Sequence, residues 1–183
     1  MQTKVQPDGS SRKKVLISSI LFMGLGHILY LKEYIKGLFY ALIEILMLIC
    51  SPMVVQKIIN LITLGSPQPN LPVKQRDNSI FMLIDGVIIL AVIFIFVAIY
   101  IISVKSALKS YKDYCTFGYF KNEKNIISDT SQKAFPILAL APTVGLVLFF
   151  VVVPLVFSAC VAFTNYAAPD HIPPNNTVDW VGF

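Results

Sequence analysis

Four apolar runs divide the chain, and the length of each limits what it can become. From Val15 to Leu31 no charged residue occurs, but Gly24, Gly26 and His27 interrupt the run. At 17 residues it sits at the lower limit of the ~17–25 residues a helix needs to cross a bilayer. The run from Gly37 to Val55 holds one charge, Glu44, and fades through Gln56, Lys57 and Asn60. The run from Ile80 to Val104 also holds one, Asp85. Its Ile, Val and Phe content would suit strands in a shorter segment, but at this length a helix is expected, because in lipid each backbone polar group must be paired within the segment. From Ala134 to Tyr166 there is no charge at all. In that run Pro136 suits a first helical turn, while Pro142 and Pro154 each lack a backbone donor and should bend the helix.

The pattern therefore predicts an all-α membrane protein with three transmembrane helices plus an N-terminal re-entrant or interfacial helix. Residues 1–14 form a flexible arm, 15–36 the interfacial segment, 37–60 the first spanning helix and 61–79 a loop rich in proline (Pro67, Pro69, Pro72). Residues 80–104 form the second spanning helix, 105–133 a polar loop able to hold a short surface helix, 134–166 a kinked third spanning helix and 167–183 the start of a polar external segment. A basic lead before an apolar run also resembles a secretory signal, but no small-residue cleavage site follows Leu31, so the segment is expected to stay.

Charge decides which runs cross. With all four crossing, the fifteen Lys and Arg residues divide seven to eight, and no orientation is favoured. With 15–31 held on one side, twelve share a side with the N-terminus and only three lie opposite. Positively charged loops stay cytoplasmic. The expected arrangement is a multi-pass membrane protein with its N-terminus and residues 105–133 cytoplasmic, and the Pro67–Pro72 loop and everything after Tyr166 external. Gly24 and Gly26 would let the first segment lie close against its neighbour.

Composition agrees: 56% of the 183 residues are hydrophobic and 14% charged, with mean hydropathy +0.71, against roughly 25% charged in soluble domains. The net charge of +5 gathers beside the apolar runs and not along one face with interleaved aromatics, so nucleic acid is not expected as a partner. The lipid bilayer is. Three cysteines give no disulfide framework.

Candidate chemistry is sparse. Glu44 and Asp85 are the two acids inside the spanning runs, and intramembrane acids are functional candidates because inserting them costs ~2.5–3.5 kcal/mol. Counted at 1.5 Å per residue, Glu44 lies about 10 Å from the cytoplasmic face and Asp85 about 7.5 Å from the outer one. In a core about 30 Å thick they do not meet, so each is expected to find water or a polar neighbour of its own. His27 has no second His, Cys or acid at ligand spacing, so it reads as a packing histidine and no metal site is expected. His171 and the Asn175-Asn176-Thr177 triplet lie in the polar tail and carry nothing alone. No phosphate loop, GxSxG, HExxH or paired CxxC occurs. An enzyme is not expected.

One stretch is more specific. Ala162-Phe163-Thr164-Asn165-Tyr166 at the end of the third spanning run, followed by Pro173-Pro174 and Asp179-Trp180-Val181-Gly182-Phe183, resembles the larger membrane-spanning subunit of maltose/maltodextrin-type ABC importers. Gly24-Leu25-Gly26-His27 and Tyr34-Ile35-Lys36-Gly37 are similar to the amino-terminal region of its Gram-positive members. The resemblance implies a permease subunit for maltodextrin-like oligosaccharides. Its partners would be a second permease subunit, cytoplasmic ATPase subunits that use the ATP, and an extracytoplasmic sugar-binding protein. It implies no cofactor in this chain. The sequence departs from the family in lacking the Glu-Ala-Ala loop that docks on the ATPase and the further helices of the transport core: Glu33, Glu44 and Glu123 are not followed by Ala-Ala. An incomplete permease fold that anchors and packs around a core outside these residues is expected. The competing reading is a small self-contained membrane scaffold or assembly protein that binds a partner helix through Gly24 and Gly26.

Overall fold

The structure, a computed structural model, describes residues 9–117, 135–136 and 139–181. The first eight residues of the arm, most of the 105–133 segment, and Gly182 and Phe183 of the tail motif lie outside the described residues. The fold is all-α: among the described residues there are no strands beyond two isolated bridges, Thr164 with Trp180 and Ala167 with His171.

Helix α1 covers Gly9–Leu21 and α2 covers Leu25–Leu29. Between them the chain reverses at Gly24, whose φ of 90° is the left-handed conformation that glycine adopts at no steric cost. The reversal lays α2 against α1 so tightly that a Cβ on Gly26 would stand 2.0 Å from Ser19 Oγ. Helix α3 runs without interruption over Tyr34–Thr63, accommodating Pro52 in its interior. It starts before and ends after the apolar run, because neither the Lys36 and Lys57 stems nor Gln56 and Asn60 break helical geometry when their polar ends reach the surface.

A loop then leads through a 3₁₀ turn at Val73–Gln75. Its shape comes from Asp77, whose carboxylate accepts hydrogen bonds from Ser66 N at 3.2 Å and Gln68 Nε2 at 3.1 Å. Asn78 caps the next helix by accepting from the backbone N–H groups of Ile80 and Phe81 at 3.2 and 3.3 Å.

Helix α4 covers Ser79–Phe117 and so continues well beyond Val104 into the segment expected as a polar loop. The reason is an amphipathic pattern: Ser103, Ala107, Tyr111 and Cys115, four residues apart, are all buried, while Lys105, Lys109 and Lys112 are exposed. Helix α5 covers Ala139–Ala162. It contains a π-helical stretch at Leu148–Val152, directly before Pro154 in the first turn of the following α-helical part, Val153–Ala162. Proline cannot donate to the preceding turn and its ring crowds the carbonyl there, and the wider π-turn relieves both. Helices α3, α4 and α5 are each long and apolar enough to cross a membrane.

The chain packs as two units, Met1–Cys50 with Ile95–Ala139, and Ser51–Phe94 with Leu140–Phe183. The core of the first consists of Val15, Leu31, Ala107, Tyr111 and Cys115, with Tyr114 against it. The core of the second is Leu64, Leu83 and Val87, packed by Leu61, Val153, Phe157, Cys160 and Val161. Outside these small cores large aliphatic side chains are exposed along all three long helices, as expected of surfaces whose solvent is hydrocarbon.

Candidate functional site

In the first unit, the polar chemistry gathers around Glu33, in the bend between α2 and α3. His27 is fully buried, and its Nδ1 lies 2.7 Å from Glu33 Oε2. The same carboxylate oxygen accepts a hydrogen bond from Ser110 Oγ of α4 at 3.0 Å. Oε1 is 3.6 Å from Lys36 Nζ, one turn into α3. The backbone completes the bend, with Glu33 N donating to His27 O at 3.0 Å and Gly37 N to Glu33 O at 3.0 Å. Tyr40 stacks on the imidazole at 5.7 Å between ring centroids.

Burial pushes the Glu33 carboxyl toward its neutral form. The His27 hydrogen bond, the Lys36 ammonium, the imidazole's charge and the Ser110 hydroxyl outweigh that, and together they hold it below the usual range. Glu33 is thus a carboxylate, an acceptor only, so His27 Nδ1 is the donor. Nε2 on the other side of the ring is buried with no hydrogen-bond partner among the described residues, as are Ser19 Oγ and Ser103 Oγ. Among those residues no three His, Cys, Asp or Glu side chains gather to hold a metal ion.

Glu44 and Asp85, the two acids singled out in the sequence, each have a partner. Glu44 accepts a hydrogen bond from the backbone N–H of Met23, in the turn between α1 and α2. Met23 directly precedes Gly24, the N-cap of α2, where backbone N–H groups have no helical carbonyl to bond, and the carboxylate supplies the acceptor. Asp85 forms an ion pair with Lys57, from α3 to α4 within the second unit. The Glu33 cluster is not legible in the sequence. His27 and Glu33 are six residues apart, which matches neither helical nor ligand spacing, and Ser110 lies in a segment whose charge suggests a loop.

The family-motif positions converge at the end of α5. Ala162 is the last residue of the helix, and Phe163 turns the chain with its N–H bonded to Cys160 O at 3.0 Å. Thr164 Oγ1 donates to Val161 O at 2.7 Å. Asn165 holds Asp179 twice: its N–H donates to Asp179 O at 3.1 Å, and its side-chain oxygen accepts from Asp179 N at 2.8 Å. Val181 N donates to Phe163 O at 2.8 Å, beside the Thr164–Trp180 bridge. Trp180 Nε1 then donates to Leu61 O near the end of α3 at 3.0 Å, and Val178 N to Ser79 Oγ at the start of α4 at 3.0 Å. Tyr166 is exposed. The two short motifs thus form one cap that ties α5 to the α3–α4 hairpin.

This is the architecture of a multi-pass all-α membrane protein whose ordered polar features lie at helix ends and turns. The chain is similar over most of its length to permease proteins of sugar transport systems from Gram-positive bacteria. It is 30% identical over 173 residues, 94% of the chain, to the galactooligosaccharides transport system permease protein GanP of Bacillus subtilis. It is 33% identical over 172 residues, 93% of the chain, to the maltodextrin transport system permease protein MalC of Streptococcus pneumoniae. It is 36% identical over 131 residues, 70% of the chain, to the maltodextrin transport system permease protein MdxF of Bacillus subtilis. The chain spans only 39%, 37% and 28% of these relatives' own lengths. No family model matches the chain, and no solved structure matches it.

Proposed function

We propose that these residues serve as the anchoring and packing region of a permease subunit in an ABC importer for maltodextrin-like oligosaccharides. The observation that carries this reading is the similarity to GanP and MalC over more than nine tenths of the chain. The motif cap supports it, because the positions that carry the family resemblance are those joined by hydrogen bonds between Phe163–Asn165 and Asp179–Val181. The subunit would work beside a second permease subunit, cytoplasmic ATPase subunits that consume the ATP, and an extracytoplasmic sugar-binding protein, with no cofactor of its own. The three spans are aliphatic, suited to lipid and helix packing, and lack the convergent polar and aromatic groups of a sugar pocket among the described residues.

The twelve-to-three charge division supports a cytoplasmic N-terminus. The test is to delete residues 1–130 from a permease that contains them, keeping α5 and the residues after it. Assembly of the importer should fall while sugar preference among assembled complexes is unchanged. A deletion that leaves assembly intact but switches the preferred sugar refutes the proposal.

A further inference from the structure

Three side-chain polar atoms of the first unit are buried with no hydrogen-bond partner among the described residues: Ser19 Oγ of α1, His27 Nε2 of α2 and Ser103 Oγ of α4. The contacts around them place all three at one joint. Val15 of α1 belongs to the same buried cluster as Ala107, Tyr111 and Cys115 of α4, and the Tyr100 hydroxyl of α4 donates to Ile20 O near the other end of α1. The two helices therefore run antiparallel along each other. Ser19, one turn on from Val15, comes level with Ser103, one turn back from Ala107. Gly26 presses on Ser19 from α2, since a Cβ there would stand 2.0 Å from Oγ, and His27 follows it in the chain. Each of the three residues is at most 1% accessible. On closure each atom gives up its hydration and gains no bond in return, which disfavours the closed joint.

The link that carries α1 and α2 is strained as well. Lys32, between α2 and α3, has a φ of 54°, the left-handed conformation that a residue with a side chain seldom adopts. Against these costs stand the bond from Met23 N to Glu44, the bond from Tyr100 to Ile20 O, the His27–Glu33 pair, and Val15 and Leu31 in the small core with α4. Opening this joint breaks only those contacts. The backbone bonds of α3 and α4 lie within each helix and survive it, so α1 and α2 can separate without unfolding the rest.

We infer that α1 and α2 form a flap that swings away from α3 and α4 about Lys32 in the folded protein, with the unpartnered hydroxyls of Ser19 and Ser103 setting how often it opens. Closed, the flap completes the Glu33–His27 pair and covers the α4 face of Ala107, Tyr111 and Cys115. Open, it hydrates the three orphaned atoms, releases Lys32 and exposes that face. The inference uses only the packing of the first unit and is independent of the transport reading.

Cys115 reports the motion, because it is buried in one cluster with Val15 and Leu31. The full chain, with Cys50 and Cys160 changed to Ala, is purified in detergent micelles and treated with N-ethylmaleimide. Where labelling is slow compared with reclosing, its rate is proportional to the open population. Cys115 should react well below the thermal unfolding midpoint. A buried unpartnered hydroxyl shifts such an equilibrium by about 5- to 150-fold, so Ser19→Ala and Ser103→Ala should each slow the labelling at least about fivefold, and together slow it further. Ser110→Ala removes an α4 hydroxyl that has a partner, Glu33, and should not slow it. In a companion chain that keeps only Cys160, which packs on the core of the second unit, none of the three changes should alter the rate. Labelling of Cys115 only on unfolding would overturn the inference, as would an unchanged or faster rate in either the Ser19 or the Ser103 variant. Equal slowing by Ser110→Ala, or equal slowing at Cys160, would also overturn it by showing general stabilisation in place of a flap.

Discussion

His27 Nδ1 and Glu33 Oε2 stand 2.7 Å apart in a buried bend, and Ser110 of α4 donates to the same oxygen at 3.0 Å. One carboxylate thereby joins α2, the start of α3 and the distal part of α4. Because the folded carboxyl is held below its ordinary range, it binds its proton more weakly when folded than when unfolded. Its contribution to stability is therefore complete above the unfolded value of about 4.3 and is lost as pH falls through the folded value. The thermal unfolding midpoint in detergent should drop on acidification below about pH 4.5. Glu33→Gln should lower it at neutral pH, through the loss of about 1–3 kcal/mol of stability from the charge-assisted hydrogen bonds, and flatten the acid dependence. A Glu33→Gln chain that keeps the wild-type acid profile would show that another carboxyl is responsible.

The α1–α2 reversal depends on two glycines for different reasons. At Gly24 the φ of 90° is unfavourable to any side chain, and an added Cβ would meet the backbone of Gly37 at 2.2 Å. At Gly26 the severe obstacle is a side chain, Ser19 Oγ at 2.0 Å, which is buried without a hydrogen-bond partner among the described residues, while Val15 O at 3.1 Å and Ser19 Cβ at 3.3 Å are only tight. Gly26→Ala should therefore be largely rescued by Ser19→Ala, which also removes an unsatisfied hydroxyl and leaves only the tight contacts to Val15 O and the residue-19 Cβ. Gly24→Ala should not be rescued, and should cost more than the ~1–3 kcal/mol of ordinary overpacking. Unfolding midpoints of the two single glycine variants and their combinations with Ser19→Ala measure this, and equal rescue of both glycine changes would contradict it.

How much of this is legible in the sequence differs by feature. Long apolar runs with at most one charge are strong signals, because only a helix satisfies its own backbone in lipid, and α3, α4 and α5 each contain such a run. The ends are less legible. Lysines at 105, 109 and 112 give their segment the charge of a loop, although Ser103, Ala107, Tyr111 and Cys115 repeat every four residues on the buried side. The Glu33 cluster depends on a chain reversal and on a helix 77 residues away, and no local pattern encodes such a meeting. The motif around Asn165 and Asp179 is legible as a resemblance, whereas its physical content, a doubly hydrogen-bonded cap, emerges only in the fold.

The cap should come loose from a single hydroxyl. Ser79 Oγ donates to Leu64 O at 2.6 Å and accepts from Val178 N at 3.0 Å, and Ser79 and Val178 are both buried. Ser79→Ala strands a buried donor and a carbonyl together, at a cost of about 1–3 kcal/mol. Hydrogen exchange at Val178 and Asp179 should accelerate while exchange within α4 is unchanged. Trp180→Phe, which loses the bond to Leu61 O, should accelerate exchange around Trp180 less, because the Asn165–Asp179 pair remains. Uniform acceleration along α4 would mean that Ser79 supports the helix and not the cap.

The Lys57–Asp85 pair makes the sharpest distinction between a functional and a packing acid. Both partners are partly exposed, with side chains 34% and 42% accessible, and in a membrane that exposure is toward lipid or headgroups. Removing one charge leaves the other without compensation in a medium that penalises it, whereas removing both leaves a neutral helix contact. Asp85→Asn and Lys57→Gln should each destabilise the α3–α4 hairpin, by up to the ~2.5–3.5 kcal/mol that inserting a bare charge costs. The double variant should recover most of the loss, and a double-mutant cycle on unfolding in detergent micelles measures the coupling directly. If the pair is structural, transport in a permease containing these residues follows stability: impaired in each single variant and restored in the double. If Asp85 serves the transport path, the double variant recovers stability and not transport, because the carboxylate itself is then required.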